Sequence, residues 1–456
     1  MVLSPDDTVA AISTPIGEGG IGIVRVSGPL ATAILTRVFR PADKQPASLE
    51  SHRFRYGHVV DPETGSQVDE VLSVWMAAPR TYTRQDMVEI QCHGGIVPLQ
   101  RTLELVLRCG ARMAQPGEFT LRAFLNGRID LAQAEAVLDI VRAKTDISLR
   151  VAVQQLRGGT SGRVRAVRTQ LVQALAHLEA ELDFPEDEIP PCDIAHALSD
   201  AIRRIEELLT QADQGLIYRQ GVRTAIVGRP NVGKSSLLNA LLRTDRAIVT
   251  PIPGTTRDTL EETINLRGIP LCLVDTAGIA NSRDLIERLG VERSQQALQQ
   301  ADLILWVVDG SEPLKGEDHE IAAVVRNRAV IVVVNKTDLP PVADDAVALP
   351  SARHVHVSAL TGSGISLLEE AIVETIFAGE VETPDVPAVS NPRHRDVLRR
   401  ALGRLVSAQA GWHADAQPDL IAVDLTAAAS DLGEITGESV GEDVLEAIFS
   451  SFCIGK

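Results

Sequence analysis

The run Gly228-Arg229-Pro230-Asn231-Val232-Gly233-Lys234-Ser235-Ser236 lies between a β-prone stretch, Thr224–Val227, and an apolar helical one, Leu237–Leu242. A glycine loop between a strand and a helix start is suited to phosphate: backbone N–H groups cradle it, Lys234 meets the β and γ oxygens, and the Ser235 hydroxyl ligates Mg2+. Three further groups follow in order. Asp275-Thr276-Ala277-Gly278 ends the stretch Leu271–Val274, offering a carboxylate on the Mg2+ side and, at Gly278, an N–H for a γ-phosphate. Asn335-Lys336-Thr337-Asp338 ends Val330–Val334. A carboxylate at Asp338 accepts from both the ring N–H and the exocyclic amine of guanine, a pair adenine does not offer. Ser358-Ala359-Leu360 adds small residues and backbone donors for the guanine carbonyl. Together these groups imply a GTP site.

The order and spacing of these motifs resemble those of small GTPases of the translation-factor class. Where Ras-like proteins place a catalytic Gln after Asp-x-x-Gly, this chain has Ile279, which cannot orient water. Glu287, within Asp284-Leu-Ile-Glu287-Arg288, is a candidate for holding the attacking water through a second water; it also reads as an exposed helical carboxylate paired with Arg283 or Arg288. The loop Thr250-Pro251-Ile252-Pro253-Gly254-Thr255-Thr256 places Thr256 where it can complete the Mg2+ shell. No arginine finger is readable, Arg257 being equally suited to a structural salt bridge. A monovalent cation held by Asn231 and by carbonyls of that loop, hard oxygen donors, could supply the missing charge.

These loops need elements to hold them. The 456 residues carry 44 Lys+Arg against 61 Asp+Glu, a net charge of −17, and 45% are hydrophobic. Length and composition predict several ordered domains. The negative charge argues against gripping nucleic acid unaided through a broad basic surface, but leaves room for a basic patch or a shared partner. Apolar runs such as Leu303–Val308 are too short to span a bilayer. Asp6 and Asp7 stand where a signal peptide would be basic, so a cytoplasmic location is expected. Cys92, Cys109, Cys192, Cys272 and Cys453 show no paired spacing for disulfides or zinc.

Residues 1–118 mix β-branched runs (Ile21–Val26, Val71–Trp75, Val88–Gln91) with one helical stretch, Leu99–Leu107, and read as a small α+β domain. Residues 119–216 become helical, with stripes at Leu131, Ala134, Val137, Leu138, Val141 and at Leu171, Leu175, Leu178, Leu182; Pro185, Pro190 and Pro191 separate two long helices. Residues 217–380 alternate strands with helices, the signature of a parallel sheet. Residues 381–456 return to helices over Val397–Val406, Leu420–Leu432 and Glu442–Phe449. Helices on both sides predict one all-α domain into which the α/β P-loop GTPase domain is inserted.

Four stretches outside the GTP motifs carry a more specific likeness: Ile21-Gly-Ile-Val-Arg25-Val-Ser-Gly28; Val88-Glu89-Ile-Gln-Cys92-His93-Gly94-Gly95; Pro116-Gly-Glu-Phe-Thr-Leu-Arg122 through Asn126-Gly-Arg128-Ile-Asp130 to Glu135; and Phe452-Cys453-Ile454-Gly455-Lys456. With them the chain resembles the MnmE (TrmE) family of tRNA modification GTPases over nearly its whole length. The resemblance implies an N-terminal dimerisation and folate-binding domain, a helical domain and an inserted G domain. It also implies a homodimer working with the MnmG (GidA) flavoprotein in a heterotetramer-type complex on tRNA, with no membrane role. The implied reaction places a carboxymethylaminomethyl-type group on carbon 5 of the wobble uridine. A 5,10-methylenetetrahydrofolate donor supplies the carbon, and 5-formyltetrahydrofolate serves as a stand-in ligand. By the same resemblance K+ is held by Asn231, Thr250, Ile252 and Thr255, Mg2+ by Ser235 and Thr256, folate by Arg25, Glu89, Arg128 and Lys456, and Glu287 positions water; Cys453 serves the modification chemistry or supports the folate site.

Other readings stay open. Arg25, and Arg128 beside Asp130, suit structural ion pairs. Glu89 alternates with Val88 and Ile90 as a solvent-facing strand residue would, and Cys453 suits a buried small hydrophobe. Cys92 and His93 point to opposite strand faces and cannot form a dyad. Two departures from the family pattern bear on the folate site: Tyr82-Thr83-Arg84-Gln85-Asp86 stands for the usual Tyr-Thr-Gly-Glu-Asp, and Cys92 for Gly; Ala280 also replaces an Arg that often follows the Asp-Thr-Ala-Gly motif. The alternative functions are a GTP-switched ribosome-assembly factor, for which no KH-type Gly-x-x-Gly loop is readable after Ala378, and a scaffold without folate chemistry.

Overall fold

The structure, a computed structural model, describes residues 7–43, 49–184, 193–244, 261–275, 298–342, 349–377 and 389–456. In chain order it runs β1 (Val9–Ile12), β2 (Gly19–Ser27), α1 (Ala31–Val38), β3 (Phe39–Pro41), β4 (Arg53–Val60), β5 (Gln67–Met76), β6 (Met87–Gly94), α2 (Ile96–Arg108), β7 (Arg112–Met113), α3 (Glu118–Leu125) and α4 (Leu131–Arg142). Helices α5 (Asp146–Leu156), α6 (Gly159–Asp183) and α7 (Ile194–Gln220) follow, then β8 (Val222–Val227), α8 (Lys234–Thr244), β9 (Glu261–Leu266), β10 (Ile269–Asp275), β11 (Leu303–Asp309), α9 (Gly316–Val325), β12 (Val330–Asn335), β13 (Arg353–His356) and α10 (Ile365–Ile376). The last elements are α11 (Pro392–His413), α12 (Pro418–Thr436) and α13 (Glu442–Ser450).

The chain forms two compact units. The first takes Met1–Leu138, Ser161–Thr169 and Ala429–Lys456. Its sheet has the order β3-β4-β5-β6-β2-β1-β7, antiparallel except for the parallel β1–β7 pair. Strand alternation sorts its residues: Val24, Val26, Val88, Ile90 and Cys92 pack with Leu99 and Val106 of α2 in one core, while Arg25 and Glu89 occupy the other face. That second face also carries Val9, Ala11 and Met87, which pack with Ala114 and Phe119. Phe449 and Phe452 join Leu121, Ala123, Leu131 and Leu138 in a further cluster, so the segment after α13 is built into this unit.

The second unit takes Asp139–Thr160 and Gln170–Ala428. Its sheet has the order β13-β12-β11-β8-β10-β9, with β8, β10, β11, β12 and β13 parallel. Every residue of β11 is buried, as expected for a strand covered on both faces. The parallel sheet that the alternation predicts carries one antiparallel edge strand: β9 is antiparallel to β10, joined through Arg267 and Gly268, whose φ values of 50 and 93 suit a two-residue hairpin. Thr145 caps α5, accepting from the Ser148 N–H, and its hydroxyl donates to Gly268 O at 2.8 Å. The leucine stripe of α6 holds at Leu171 and Leu178, both 1% exposed, but Leu182 is 39% exposed because it lies in the last turn before the helix ends.

Candidate functional site

The loop between β8 and α8 has the geometry its composition predicts. Gly228, Asn231 and Gly233 take φ of 153, 65 and 100, so the backbone turns its N–H groups toward one side before entering the helix. A side chain at Gly233 would collide with the Asn335 amide. Lys234 extends along the loop, donating to Gly228 O at 2.7 Å and Arg229 O at 2.8 Å, while Ser235 and Ser236 are exposed at the helix start. Asp275 ends β10 in register with Ile226 of β8, which sets its backbone beside the start of the loop.

Asn335 ends β12 and is 3% exposed. Its Nδ2 donates to Val232 O at 2.8 Å and its Oδ1 accepts from the Ala359 N–H at 3.0 Å. One amide thereby ties the phosphate loop to the Ser358–Leu360 loop. Lys336, at φ 68, sends its ammonium to Asp309 Oδ2 at 2.5 Å. Burial alone would push the Asp309 carboxyl up, but Lys336 and the Ser311 hydroxyl and N–H outweigh it and hold it below the usual range. Thr337 donates its backbone N–H to Val357 O at 3.2 Å, and Asp338 Oδ1 accepts from the Ser358 hydroxyl at 2.6 Å. Asp338 is thus aimed by the adjoining loop. A cavity of about 500 Å3 opens beside these residues, lined by Ser236, Asn239, Ala240, Ala359, Leu360 and Ile365. The backbone donors and the Asp338 carboxylate fit a guanine nucleotide, and the Ser235 hydroxyl at the helix start fits its Mg2+. Asp309 went unnoticed in the sequence, although an Asp-Gly ending an apolar strand repeats the pattern of Asp275.

Of the remaining GTP-site candidates, Thr250, Pro251, Ile252, Pro253, Gly254, Thr255, Thr256, Thr276, Ala277, Gly278 and Glu287 lie outside the described residues, as does Cys192. Among the K+ candidates the structure describes Asn231 alone, which is exposed beside the loop.

In the first unit, β2 and β6 place Arg25 directly opposite Glu89, and the two form an ion pair at 2.8 Å with about a fifth of each side chain exposed. Glu89 therefore does not simply face solvent. Arg25 Nη1 also donates to Gly455 O at 3.1 Å, and its guanidinium lies 5.7 Å from the centre of the Phe119 ring. Segment 452–456 is seated here: Gly117 N–H donates to Cys453 O at 3.4 Å, and Gly455, at φ 93, presses so closely on Ile12 O that no side chain fits. Partial burial, opposed by Cys453 and reinforced by Arg25, lowers the Lys456 ammonium from its ordinary value. Arg128 stacks at 4.7 Å over Tyr82 and donates to Tyr82 O at 3.3 Å. Asp130 pairs with Arg165 at 2.9 Å, so the alternative of an ion pair between Arg128 and Asp130 is not the arrangement found. Burial raises the Tyr82 hydroxyl above its ordinary value, against the Thr120 hydrogen bond and the Arg128 and Arg25 charges. The unit thus gathers one carboxylate, two arginines, a lysine and two aromatic rings from five separate stretches of sequence, a set that fits an anionic molecule with an aromatic ring bearing N–H donors. Sequence alone assigns no role to Phe119, or to Tyr82 beyond its place before Thr83-Arg84-Gln85-Asp86, since a lone aromatic carries no local signal.

The departures from the family pattern have visible consequences. Arg84 sits at φ 59, the left-handed region where the usual Gly is at ease, and donates to Asn126 O at 2.9 Å. Gln85 Oε1 accepts from Arg122 at 3.1 Å and from the Ser27 hydroxyl at 3.2 Å, and Arg122 finds its negative charges in Asp7 and Glu118 at 2.5 and 2.9 Å. Cys92 is 2% exposed and its thiol is pushed up to about 11, chiefly by burial, so it is inert. His93 is exposed and paired with Asp69 at 2.7 Å, on the opposite face as expected. Cys453, in contrast to the buried reading, is exposed.

Comparison with known proteins agrees with this geometry. Residues 8–128 match the family description "GTP-binding protein TrmE N-terminus" and residues 131–453 match "MnmE helical domain". The chain is 55% identical over 457 residues to the tRNA modification GTPase MnmE of Chloroflexus aurantiacus, covering 99% of this chain and 100% of that protein. It is 52% identical to the MnmE of Roseiflexus castenholzii and 50% to that of Geobacter metallireducens, covering 99% of each chain in both cases. A P-loop domain with its guanine loops, carried within a helical framework and preceded by an N-terminal domain with its own polar cluster, places this chain in the MnmE family of tRNA modification GTPases.

Proposed function

We propose that the chain hydrolyses GTP to drive formation of a carboxymethylaminomethyl-type group on the tRNA wobble uridine, together with a flavoprotein of the MnmG type and a reduced folate. The observation that carries this reading is the Arg25–Glu89 pair closed by segment 452–456, 430 residues along the chain. A pterin offers guanine-like donors to Glu89, and the glutamate tail of folate suits Arg25, Arg128 and Lys456. Arg25 has a double duty in this scheme: it balances Glu89 and holds Gly455, so that Cys453 and Lys456 stay beside the ligand. The domain plan is residues 1–118, 119–216 with 381–456, and 217–380, and the working unit is a homodimer.

In the G domain Lys234 and the loop N–H groups neutralise the β and γ oxygens, which lowers the cost of charge spreading over the γ-phosphoryl. Ser235, Thr256 and Asp275 would hold Mg2+, which would supply positive charge to the phosphate oxygens. Glu287 orients the attacking water through a second water, replacing the missing Gln. Asn231, with Thr250, Ile252 and Thr255, would hold K+, which supplies positive charge where other GTPases use an arginine. Cys453 contributes to the folate-dependent step or to its site. The reading is tested by nucleoside analysis of tRNA from cells lacking the chain, complemented with the wild-type protein or with one lacking residues 453–456. Loss of the modified wobble uridine, restored only by the full chain, is expected; normal tRNA in the deletion strain overturns it. In parallel, replacing K+ by Na+ is expected to slow GTP hydrolysis at least ~10-fold, on the order of the smaller arginine-finger effects.

A further inference from the structure

In a chain of net charge −17, helix α11 concentrates five arginines, Arg393, Arg395, Arg399, Arg400 and Arg404, against a single acid, Asp396. The helix cannot rotate these residues inward. Asn391 caps it, accepting from the Arg393 N–H at 3.0 Å, and Pro392 fixes its first turn. His394, Val397, Leu398, Ala401, Leu405 and Ala408 are buried, 0–1% exposed, and α11 packs along α7. The packing is antiparallel, since Arg395 reaches Asp213 while Gln409 reaches Ser199.

At about 100° per residue the arginines fall into two rows on either side of the outward face. Arg393, Arg400 and Arg404 form one row, and Arg395 and Arg399 form the other. Between the rows lie Asp396, Gly403, Ser407 and Ala410, all exposed, and nothing stands within 4 Å of the place a side chain would take at Gly403. The result is a low ridge edged by guanidinium groups. The second row is ordered by α7: Asp213 takes Arg395 at 3.2 Å and Arg399 at 3.7 Å, yet Arg399 remains 55% exposed. Of the other acids on α7, Asp200 and Glu207 are occupied by Arg203, with Arg204 also on Asp200, and Glu206 is exposed. Arg393, Arg400 and Arg404 have partners within the chain as well. A guanidinium carries five N–H donors in a fixed fork, so one held by a carboxylate keeps donors for a second anion and has already lost much of its rotational freedom.

We propose that this face of α11 contacts the sugar–phosphate backbone of the tRNA on which the family acts. The inference rests on the tRNA-directed reading above. Closely spaced phosphates satisfy two parallel rows of arginines, and the small residues between them allow a backbone to lie close. It also reconciles an acidic chain with a polyanionic substrate, because the positive charge needed is gathered on one helix. An acidic surface of a protein partner is the rival occupant.

The experiment uses the full-length chain and unmodified tRNA, with binding followed by fluorescence anisotropy at several salt concentrations. The double variant Arg400→Ala/Arg404→Ala is expected to bind tRNA about tenfold or more weakly and to reduce the slope of log affinity against log salt by about 2 units, one for each lost phosphate contact. Arg400→Lys/Arg404→Lys should retain the slope. GTP hydrolysis without tRNA should be unchanged in both, which reports an intact fold, since these side chains take no part in the GTP site. Unchanged tRNA affinity and slope in the alanine variant overturn the inference. Loss of wobble modification with tRNA affinity intact also overturns it and assigns the face to a protein partner. A wild-type chain that modifies tRNA in cells but has no measurable affinity for it at low salt overturns it too, while leaving the tRNA-directed reading standing.

Discussion

The guanine loops and the Arg25–Glu89 cluster are both polar sites on sheet edges or faces, yet they are assembled in opposite ways. In the G domain each functional group sits at the end of its own strand, and the parallel order β12-β11-β8-β10 brings those ends to one side. Asn335, Asp338 and the phosphate loop are neighbours because parallel strands share a direction. In the first unit, Arg25 and Glu89 meet across an antiparallel pair, and Arg128 and Lys456 arrive from a helix-connecting loop and from segment 452–456. A site at strand ends is a property of the fold, whereas a site on a sheet face depends on which distant segment covers it.

Breaking each site should expose this contrast, and the largest effect is expected at the guanine carboxylate. Asp338→Asn should lower GTP affinity on the order of 10^3-fold or more and shift preference to xanthosine nucleotides, because the site loses a paired acceptor and gains a donor. Competition binding with the two nucleotides measures it, and an unchanged preference for GTP would show that Asp338 does not read the base.

In the first unit the corresponding weak point is the support beneath the cluster. Glu118 is fully buried and is held by Arg112 at 2.6 Å, by Arg122 at 2.9 Å and by the Gln115 N–H at 2.9 Å. Burial would raise its carboxyl, but these partners outweigh it and hold it below the ordinary range; Asp7 is held low in the same way by Arg112 and Arg122. Glu118→Gln leaves two guanidiniums short of charge and should destabilise this unit by roughly 3 kcal/mol. A group with a depressed folded pKa stabilises fully above its unfolded value of about 4 and loses that contribution as pH falls toward the folded value. Calorimetric stability of the wild type should therefore drop between about pH 5 and 3 more steeply than that of Glu118→Gln, whose curve has less to lose. Parallel curves would mean that Glu118 is not ionised in the folded chain.

A smaller effect is expected from trimming what covers the face. Removing Gly455 and Lys456 takes away the acceptor of Arg25 and one positive charge, and should weaken 5-formyltetrahydrofolate binding by about tenfold, or ~1.4 kcal/mol. GTP hydrolysis should stay within error, because the GTP-site residues belong to the other unit. A matching loss in both activities would erase the distinction drawn between the two sites. The smallest change should come from Arg84→Gly, which relieves a left-handed residue at a cost of about 1 kcal/mol but gives up the bond to Asn126 O. Thermal stability should move by less than about 1 kcal/mol, and a large loss would show that the Arg84 guanidinium carries more than that one hydrogen bond.

How much was legible follows from the range of each signal. The strands at 224–227, 271–274, 304–308 and 330–334 and the helices after Pro392 are found where periodicity puts them, since burial of a repeating face is a local property. The antiparallel β9 escaped because Glu261–Leu266 alternates weakly and its pairing is set by the Arg267-Gly268 turn. The roles of Asp309 and Tyr82 escaped because their partners, Lys336 and Arg128, lie 27 and 46 residues away.

The phosphate loop, the guanine-reading Asp338 and the resemblance to a family of GTPases were determined by sequence alone, because residues within a few positions of one another carry that chemistry wherever the domain sits. That Glu89 faces Arg25 rather than solvent, that Asn335 ties two loops together, that Asp130 turns to Arg165 and that Cys453 stays exposed while its neighbours Phe452 and Gly455 are buried were decided only by the tertiary structure. Each depends on which face of an element is covered and by what, and coverage is fixed by packing between segments that the order of residues leaves far apart.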